Sequence, residues 1–77
     1  PNPARSTLYI HISADAGTAA IIKLSDRRGA RIRQQTSDLF PGNNLISMNL
    51  QGIAPGVYFV SILYKNGQLY VRKIIKE

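Results

Sequence analysis

Cysteine and tryptophan are absent from this chain of 77 residues, and histidine occurs once. Without cysteine, the chain cannot form a disulfide framework or a thiolate metal site. The one imidazole, His11, falls on the outer face of a predicted strand, and the acidic residues are isolated from one another: Asp15, Asp26, Asp38 and Glu77. This set supports neither a Ser-His-Asp arrangement nor a transition-metal site. We therefore expect no enzyme activity, no cofactor and no bound metal.

Long apolar segments are also missing from the sequence. No stretch approaches the ~20 residues of a membrane span, and no charged-then-apolar signal peptide leads the chain. If the domain is exported, its signal peptide is expected in a part of the parent protein outside these residues. The glycines are scattered at predicted turns, so no phosphate-binding glycine loop is expected. At 77 residues, the chain is expected to form one domain with a small core.

Positive charge is in excess, with ten lysines and arginines against four acidic residues. The densest basic cluster is a candidate patch for phosphates or acidic sugars, and it consists of Arg27, Arg28, Arg31 and Arg33. A solvated turn and edge strand explain the same cluster more simply, because positive charge deters edge-to-edge pairing. Nucleic-acid-binding surfaces interleave basic residues with stacking aromatics. The aromatics of this chain lie in other segments, so no nucleic-acid partner is expected.

Apolar residues recur at every second position through most of the chain, which is the pattern of half-buried β-strands. In three runs the apolar residues are expected to share an inward face: Leu8, Ile10 and Ile12; Ala20, Ile22 and Leu24; Ile46, Met48 and Leu50. Turn residues such as Asp26 and Gly29 separate the runs, and a short strand over residues 30–35 is expected between them. The pattern predicts an all-β fold, an immunoglobulin-like antiparallel β-sandwich of about seven short strands.

The last third of the chain reads as a hairpin around Asn66-Gly67, a dipeptide typical of the two-residue type I′ turn. That turn would set Tyr64 opposite Leu69. The predicted core face is then made of Tyr58, Val60, Ile62, Tyr64, Leu69, Val71 and Ile75. The predicted outer face carries Phe59, Leu63, Tyr70 and Ile74. This second apolar surface is expected to be covered by a partner or a neighbouring loop.

Tyr58 follows Gly56 by two places, just before an apolar run. In β-sandwiches this spacing suits a tyrosine whose ring packs inward while its hydroxyl group bonds nearby backbone. A structural role is therefore expected for Tyr58, with Pro55 and Gly56 setting the sharp entry into the strand.

Four segments, "PNPA", "LSDRRGARI", "NLISMNLQGIAPGVYFVSI" and "NGQLYVRKIIKE", occur in this order along the chain. Together they resemble the C-terminal sorting domain (type A) of proteins exported by the type IX secretion system of Bacteroidetes bacteria. The resemblance covers the whole chain. The positions that match the family are Pro1, Asn2, Pro3, Asp26, Gly29, Gly56, Tyr58 and residues 73–76.

The resemblance implies a domain at the end of a larger cargo protein. Residues 1–77 would be the sorting domain, with residues 1–5 as its linker junction, residues 6–77 as the sandwich and the absent initiator Met expected of an excised fragment. Such a domain directs its cargo through the periplasm and the outer-membrane translocon to the outer membrane, the cell surface or the medium. A sortase-like protease usually removes the domain, and the cargo is often joined to anionic lipopolysaccharide. Both a cleaved and a retained domain fit the resemblance.

Recognition by the translocon is expected to use the outward face of the last two strands. The predicted recognition residues are Phe59, Leu63, Tyr70, Arg72, Lys73, Ile74 and Lys76. An edge strand there is expected to add to a partner sheet or to pair with a second copy in a homodimer. The competing interpretation is an immunoglobulin-like adhesive or carbohydrate-binding module. That module would present a platform of exposed aromatics, and this chain has no tryptophan.

Overall fold

The computed structural model of the chain describes residues 6–77, which form six β-strands and no helix. The strands are β1 (Thr7–Ala14), β2 (Thr18–Asp26), β3 (Arg31–Leu39), β4 (Gly42–Asn49), β5 (Gly56–Tyr64) and β6 (Leu69–Lys76). The predicted linker junction, with Pro1, Asn2 and Pro3, lies outside the described residues. Over the described range, no helix is long and apolar enough to cross a membrane.

The strands form two antiparallel sheets. One sheet has two strands in the order β1-β4, and the other has four in the order β3-β2-β5-β6. This arrangement confirms the predicted all-β antiparallel sandwich, with six strands in residues 6–77 rather than about seven. The smaller sheet has two strands fewer and covers only part of the larger one, which leaves the flank between β1 and β6 open.

The core lies between the inner faces of the two sheets. Its best-buried large side chains are Ile22, Leu24, Leu39 and Leu50. The predicted inward runs of β1, β2 and β4 all contribute to this cluster, although Ile10 and Ile46 are only partly buried. Burying each such aliphatic side chain stabilises the fold by about 1.5–3 kcal/mol. Apart from the hydroxyl group of Tyr58, the buried side chains of the described range carry no nitrogen or oxygen atom.

The turn between β2 and β3 is held by Asp26. Its Oδ1 accepts hydrogen bonds from the backbone N–H groups of Arg28 (2.9 Å) and Ala30 (3.0 Å). Gly29 has φ +88°, a left-handed conformation that glycine adopts without strain. The predicted turn is therefore confirmed. The strand that follows was predicted over residues 30–35, but β3 extends to Leu39 because the polar residues beyond position 35 also pair with β2.

Two side chains of β3 reach across to the smaller sheet and the segment after it. Gln35 Nε2 donates to the Ser47 carbonyl oxygen of β4 at 3.1 Å. Arg33 Nη2 donates to the Gln51 carbonyl oxygen at 3.0 Å. These bonds tie the two layers together along the β3–β4 flank.

The hairpin between β5 and β6 is not the predicted type I′ turn. Gly67 N–H donates to the Tyr64 carbonyl oxygen at 2.9 Å, and Tyr64 N–H donates to the Gln68 carbonyl oxygen at 2.8 Å. Gly67 has φ +97°, whereas no non-glycine residue of the described range, Asn66 included, has positive φ. The loop therefore spans residues 65–67. Residues 64–67 form a type I turn, and Gly67 forms the glycine bulge that closes the loop.

The longer loop moves the register of β6 by one residue. Leu63 now pairs with Leu69, and Tyr58 pairs with Ile74. Because side chains alternate across a strand, a shift of one residue exchanges the two faces of β6. Two sets of predictions were therefore wrong: the core placement of Leu69, Val71 and Ile75, which are exposed, and the outward placement of Tyr70 and Ile74.

Tyr58 has the predicted structural role. Its ring is buried, and its hydroxyl group donates to the Ala54 carbonyl oxygen at 2.5 Å. Ala54 lies in the segment that leads into β5, so this bond fixes the entry of the chain into the strand. The contact is the tyrosine corner that β-sandwiches use at a strand entry.

Candidate functional site

The outer face of the four-stranded sheet is apolar over β5, β6 and part of β2. Leu63 lies at the centre of one cross-strand row, with Ile21 of β2 on one side and Leu69 of β6 on the other. Leu69 is 58% exposed and Val71 is 57% exposed. We call this surface the outer apolar face, and it comprises Ile21, Val57, Phe59, Leu63, Leu69, Val71 and Ile75. Exposed apolar side chains grouped on one face mark contact sites on soluble proteins, although Ser61 and Lys73 interrupt the apolar surface here.

The sequence produces the outer apolar face because β5 is apolar on both sides. Val60 and Ile62 point into the core, while Phe59 and Leu63 point outward. The glycine bulge at Gly67 then sets the phase of β6, which places the odd-numbered residues of that strand beside the outward residues of β5. A second apolar surface on the final hairpin was predicted and is present. Its β6 members differ from the predicted ones.

The predicted recognition residues do not share one face. Phe59, Leu63 and Lys73 lie outward, and Phe59 pairs directly with Lys73. The even-numbered residues of β6 point toward the other sheet: Tyr70, Arg72, Ile74 and Lys76. Ile74 is only 6% exposed and is part of the core, so its side chain has little surface to offer a partner of the folded domain. The recognition role of all seven predicted residues stays a prediction.

The arginine cluster does not converge on one point. Arg28 approaches Asp26 at 3.6 Å, an exposed ion pair that contributes little to stability. Arg31 donates to Gln34 Oε1 at 2.8 Å, and Arg33 turns toward the Gln51 carbonyl oxygen. Arg27 is exposed in the turn. The guanidinium groups are directed at different local partners, and binding of an anion there stays a prediction.

Titratable residues are spread over the surface. His11 is exposed on β1 and pairs across the sheet with Leu45. Within residues 6–77, no group of three or more histidine, cysteine or acidic residues is placed to hold a metal ion. The backbone N–H of Ala30, assisted by Arg28, holds the pKa of Asp26 below its ordinary value. Asp26 already has a structural role in the turn.

A groove that the sequence did not reveal runs between β1 and β6. Its volume is about 570 Å³. One wall comes from β1 and the other from β6, with the inner side chains of β5 between them. Tyr64 closes one end of the groove. Its hydroxyl group donates to the Ser13 carbonyl oxygen at 3.2 Å, and its ring packs edge-to-face against the ring of Tyr70, with 5.6 Å between the ring centroids. Burial, with a smaller effect from Tyr70, raises the pKa of Tyr64.

The groove follows from pairings between strands far apart in the sequence. Each strand's own pattern shows which side chains point inward, but it does not show that the smaller sheet has only two strands. The alternation of apolar residues in β1 was the only sequence signal that could have indicated the groove, and burial of those residues in the core was enough to explain it.

Comparison with known families identifies a family that the chain resembles over its full length. The family described as the secretion system C-terminal sorting domain matches residues 1–77, which is the whole chain. No solved structure matches the chain.

Proposed function

The chain belongs to the secretion system C-terminal sorting domain family, and from this premise we propose that it carries a larger cargo protein through the type IX outer-membrane translocon. The whole-chain match carries this proposal and agrees with the resemblance found in the four ordered segments. The chain is a type IX sorting signal, so its parent is a secreted or cell-surface protein that interacts with the type IX machinery. The family is not an enzyme family.

The proposal extends to the fate of the cargo. After passage from the periplasm across the outer membrane, a sortase-like protease would cut upstream of the domain, and the cargo would be attached to the surface, with lipopolysaccharide as its anionic anchor. The described residues support this step because they have an apolar core of their own. A cut before residue 6 would remove none of the side chains in that core. Residues 1–77 would then act as one domain, with residues 1–5 as the junction.

The recognition surface is proposed to be the outer apolar face. It keeps Phe59 and Leu63 from the predicted set and replaces Tyr70 and Ile74 with Leu69 and Val71. Lys73 lies beside Phe59 and adds positive charge to the surface. Exposed apolar area next to charge is typical of protein contact sites. A homodimer through an edge strand was also predicted, but the +6 charge of each copy opposes it.

Export of a passenger protein tests both parts of the proposal. A signal peptide and an inert fluorescent protein, joined by the native linker, precede residues 1–77 in a Bacteroidetes strain with a working type IX system and in a translocon-null sister strain. Delivery to the surface or medium only in the working strain supports the sorting function. An accompanying mass loss of about 8.5 kDa, the mass of the chain, supports cleavage. Retention of folded fusion in both strains would overturn the proposal and favour the adhesive module.

The recognition surface is tested in the same strains. Leu69→Ser with Val71→Ser removes apolar area from the outer apolar face, and we expect the fusion to stay in the periplasm. The matched control is Phe40→Ser with Leu45→Ser, because these residues are also exposed but lie just before β4 and on β4, away from the outer apolar face. Normal export of the first variant, or equal failure of both folded variants, would place recognition elsewhere.

A further inference from the structure

The two sheets of the sandwich are unequal on the flank where β1 and β6 meet. The inner side of β6 carries Tyr70, Arg72 and Ile74, but only Ile74 is buried. Tyr70 is 52% exposed although it points toward the other sheet. Among the described strands, β1 pairs only with β4, so no third strand of the smaller sheet covers this part of β6.

The backbone of β1 presents hydrogen-bonding groups on this flank. Leu50 N–H donates to the Ser6 carbonyl oxygen at 2.8 Å, which makes that row a hydrogen-bonded one. Hydrogen-bonded and non-hydrogen-bonded rows alternate in an antiparallel pair. Tyr9, His11 and Ser13 fall in the non-bonded rows, so their N–H and C=O groups point away from β4. The bond from the Tyr64 hydroxyl group to the Ser13 carbonyl oxygen agrees with this direction.

The groove beside this edge has an apolar floor. Its inward side chains come from both sheets, and they are Leu8, Ile10, Ile12, Val60, Ile62 and Ile74. A strand placed along β1 would therefore make backbone hydrogen bonds on one side and bury every second side chain in the groove. Addition of an extended peptide to a sheet edge uses this combination of backbone bonds and alternate side-chain pockets.

Charge indicates the chemistry of the occupant. Arg72 lines the groove from the inner side of β6, and no acidic residue of the described range does. The whole chain carries a net charge of +6, so a second copy would bring further positive charge to a basic site. An acidic segment would instead be attracted to Arg72, which is exposed on the β6 wall.

We propose that the outer edge of β1 and the groove between β1 and β6 bind an extended, acidic and apolar segment of a partner protein. The segment adds to the smaller sheet as a third strand, opposite the four-stranded sheet. Its apolar side chains enter the groove, and its carboxylates interact with Arg72. The site lies on the opposite side of the large sheet from the outer apolar face, so it does not depend on the recognition surface proposed above.

The test uses a blocked eight-residue peptide of alternating valine and glutamate, titrated into the 77-residue chain by calorimetry. We expect binding that slows the hydrogen exchange of the Tyr9 and His11 amides but not that of Leu45, on the opposite edge of the sheet. A peptide with lysine in place of glutamate, and one N-methylated along one edge, are expected to bind at least about tenfold more weakly. Equal binding of all three peptides, no binding of the first, or protection elsewhere would overturn the proposal.

Two pairs of variants place the site independently. His11→Pro removes an edge N–H, and Leu45→Pro does the same in the paired row on the other edge of the sheet. Arg72→Glu reverses a charge in the groove, and Arg27→Glu reverses one in the β2–β3 turn. We expect His11→Pro and Arg72→Glu each to weaken peptide binding by about fivefold or more, with the controls close to wild type. Folding is checked by circular dichroism, and if His11→Pro fails to fold, the N-methylated peptide tests the same bonds. Self-association of the chain without peptide binding would overturn the proposal that the groove binds an acidic segment of a partner protein.

Discussion

Tyr58 and Ile74 lie directly opposite each other on β5 and β6, and both side chains point into the core. This pairing sets the register of β6 against β5, and so determines which side chains of β6 face the core. It decides which residues of β6 support the fold and which remain available to a partner.

Truncation on the two faces of β6 should give unequal losses of stability. We expect Ile74→Ala to lower the free energy of unfolding by about 2–5 kcal/mol, because it leaves a cavity in the core. Val71→Ala, on the exposed face, should cost no more than about 0.5 kcal/mol. Urea titrations of both variants check this. The opposite order would support the type I′ register. Export failure of an Ile74→Ser variant would report unfolding rather than lost recognition.

Gly67 should be the sensitive residue of the β5–β6 turn. Gly67→Ala places a side chain at φ +97°, and we expect it to cost about 1–2 kcal/mol of unfolding free energy. Gly17→Ala is the matched control, because Gly17 lacks positive φ and an added Cβ would meet only the Leu39 carbonyl oxygen at 4.0 Å. Thermal and urea unfolding measure both. Equal costs for the two variants would argue against a left-handed Gly67.

The hydroxyl group of Tyr58 should contribute measurably to stability. Tyr58→Phe keeps the buried ring but removes the donor to the Ala54 carbonyl oxygen, and we expect a loss of about 0.5–1.5 kcal/mol. Tyr9→Phe, at an exposed position, should be neutral. Denaturant midpoints of the two variants provide the comparison. A neutral Tyr58→Phe would show that the bond does not stabilise the entry into β5.

Asp26 should make stability depend on acid pH. Backbone N–H groups, that of Ala30 above all, hold its pKa below 3.8 in the folded state. A carboxyl group with a lowered folded pKa stabilises the fold above its unfolded pKa, and the contribution is lost as the pH falls through the folded pKa. Unfolding of the wild type and Asp26→Ala should therefore differ most above about pH 4 and converge at lower pH. A difference that does not change between pH 2 and 6 would contradict this role.

The sequence predicted the parts of the fold that depend on local pattern. Leu8 and Ile12 of β1, and Leu24 of β2, point inward as their alternation indicated. The turn at Asp26 and the role of Tyr58 were also predictable, because each depends on chemistry within a few residues.

The register of the final hairpin was not predictable from the same signals. Asn66-Gly67 fits a two-residue loop, and it also fits a three-residue loop with Gly67 as the bulge. Hydrophobicity could not choose between them, because β6 is apolar on both faces and either phase buries isoleucine. The residues of the candidate surfaces depend on this register. The apolar outer surface was therefore predicted, but its β6 residues were not.

The bonds from Gln35 to Ser47 and from Arg33 to Gln51 make the β3–β4 flank a hinge about which the two layers of the sandwich can rotate. These side-chain bonds hold the two layers together along that flank. The opposite flank, where β1 faces β6, is fastened by the Tyr64–Ser13 bond at one end of the groove, so thermal separation of the layers should begin at the other end of that flank. A small rotation of the β1–β4 ribbon would then widen or narrow the groove while leaving every strand pairing intact.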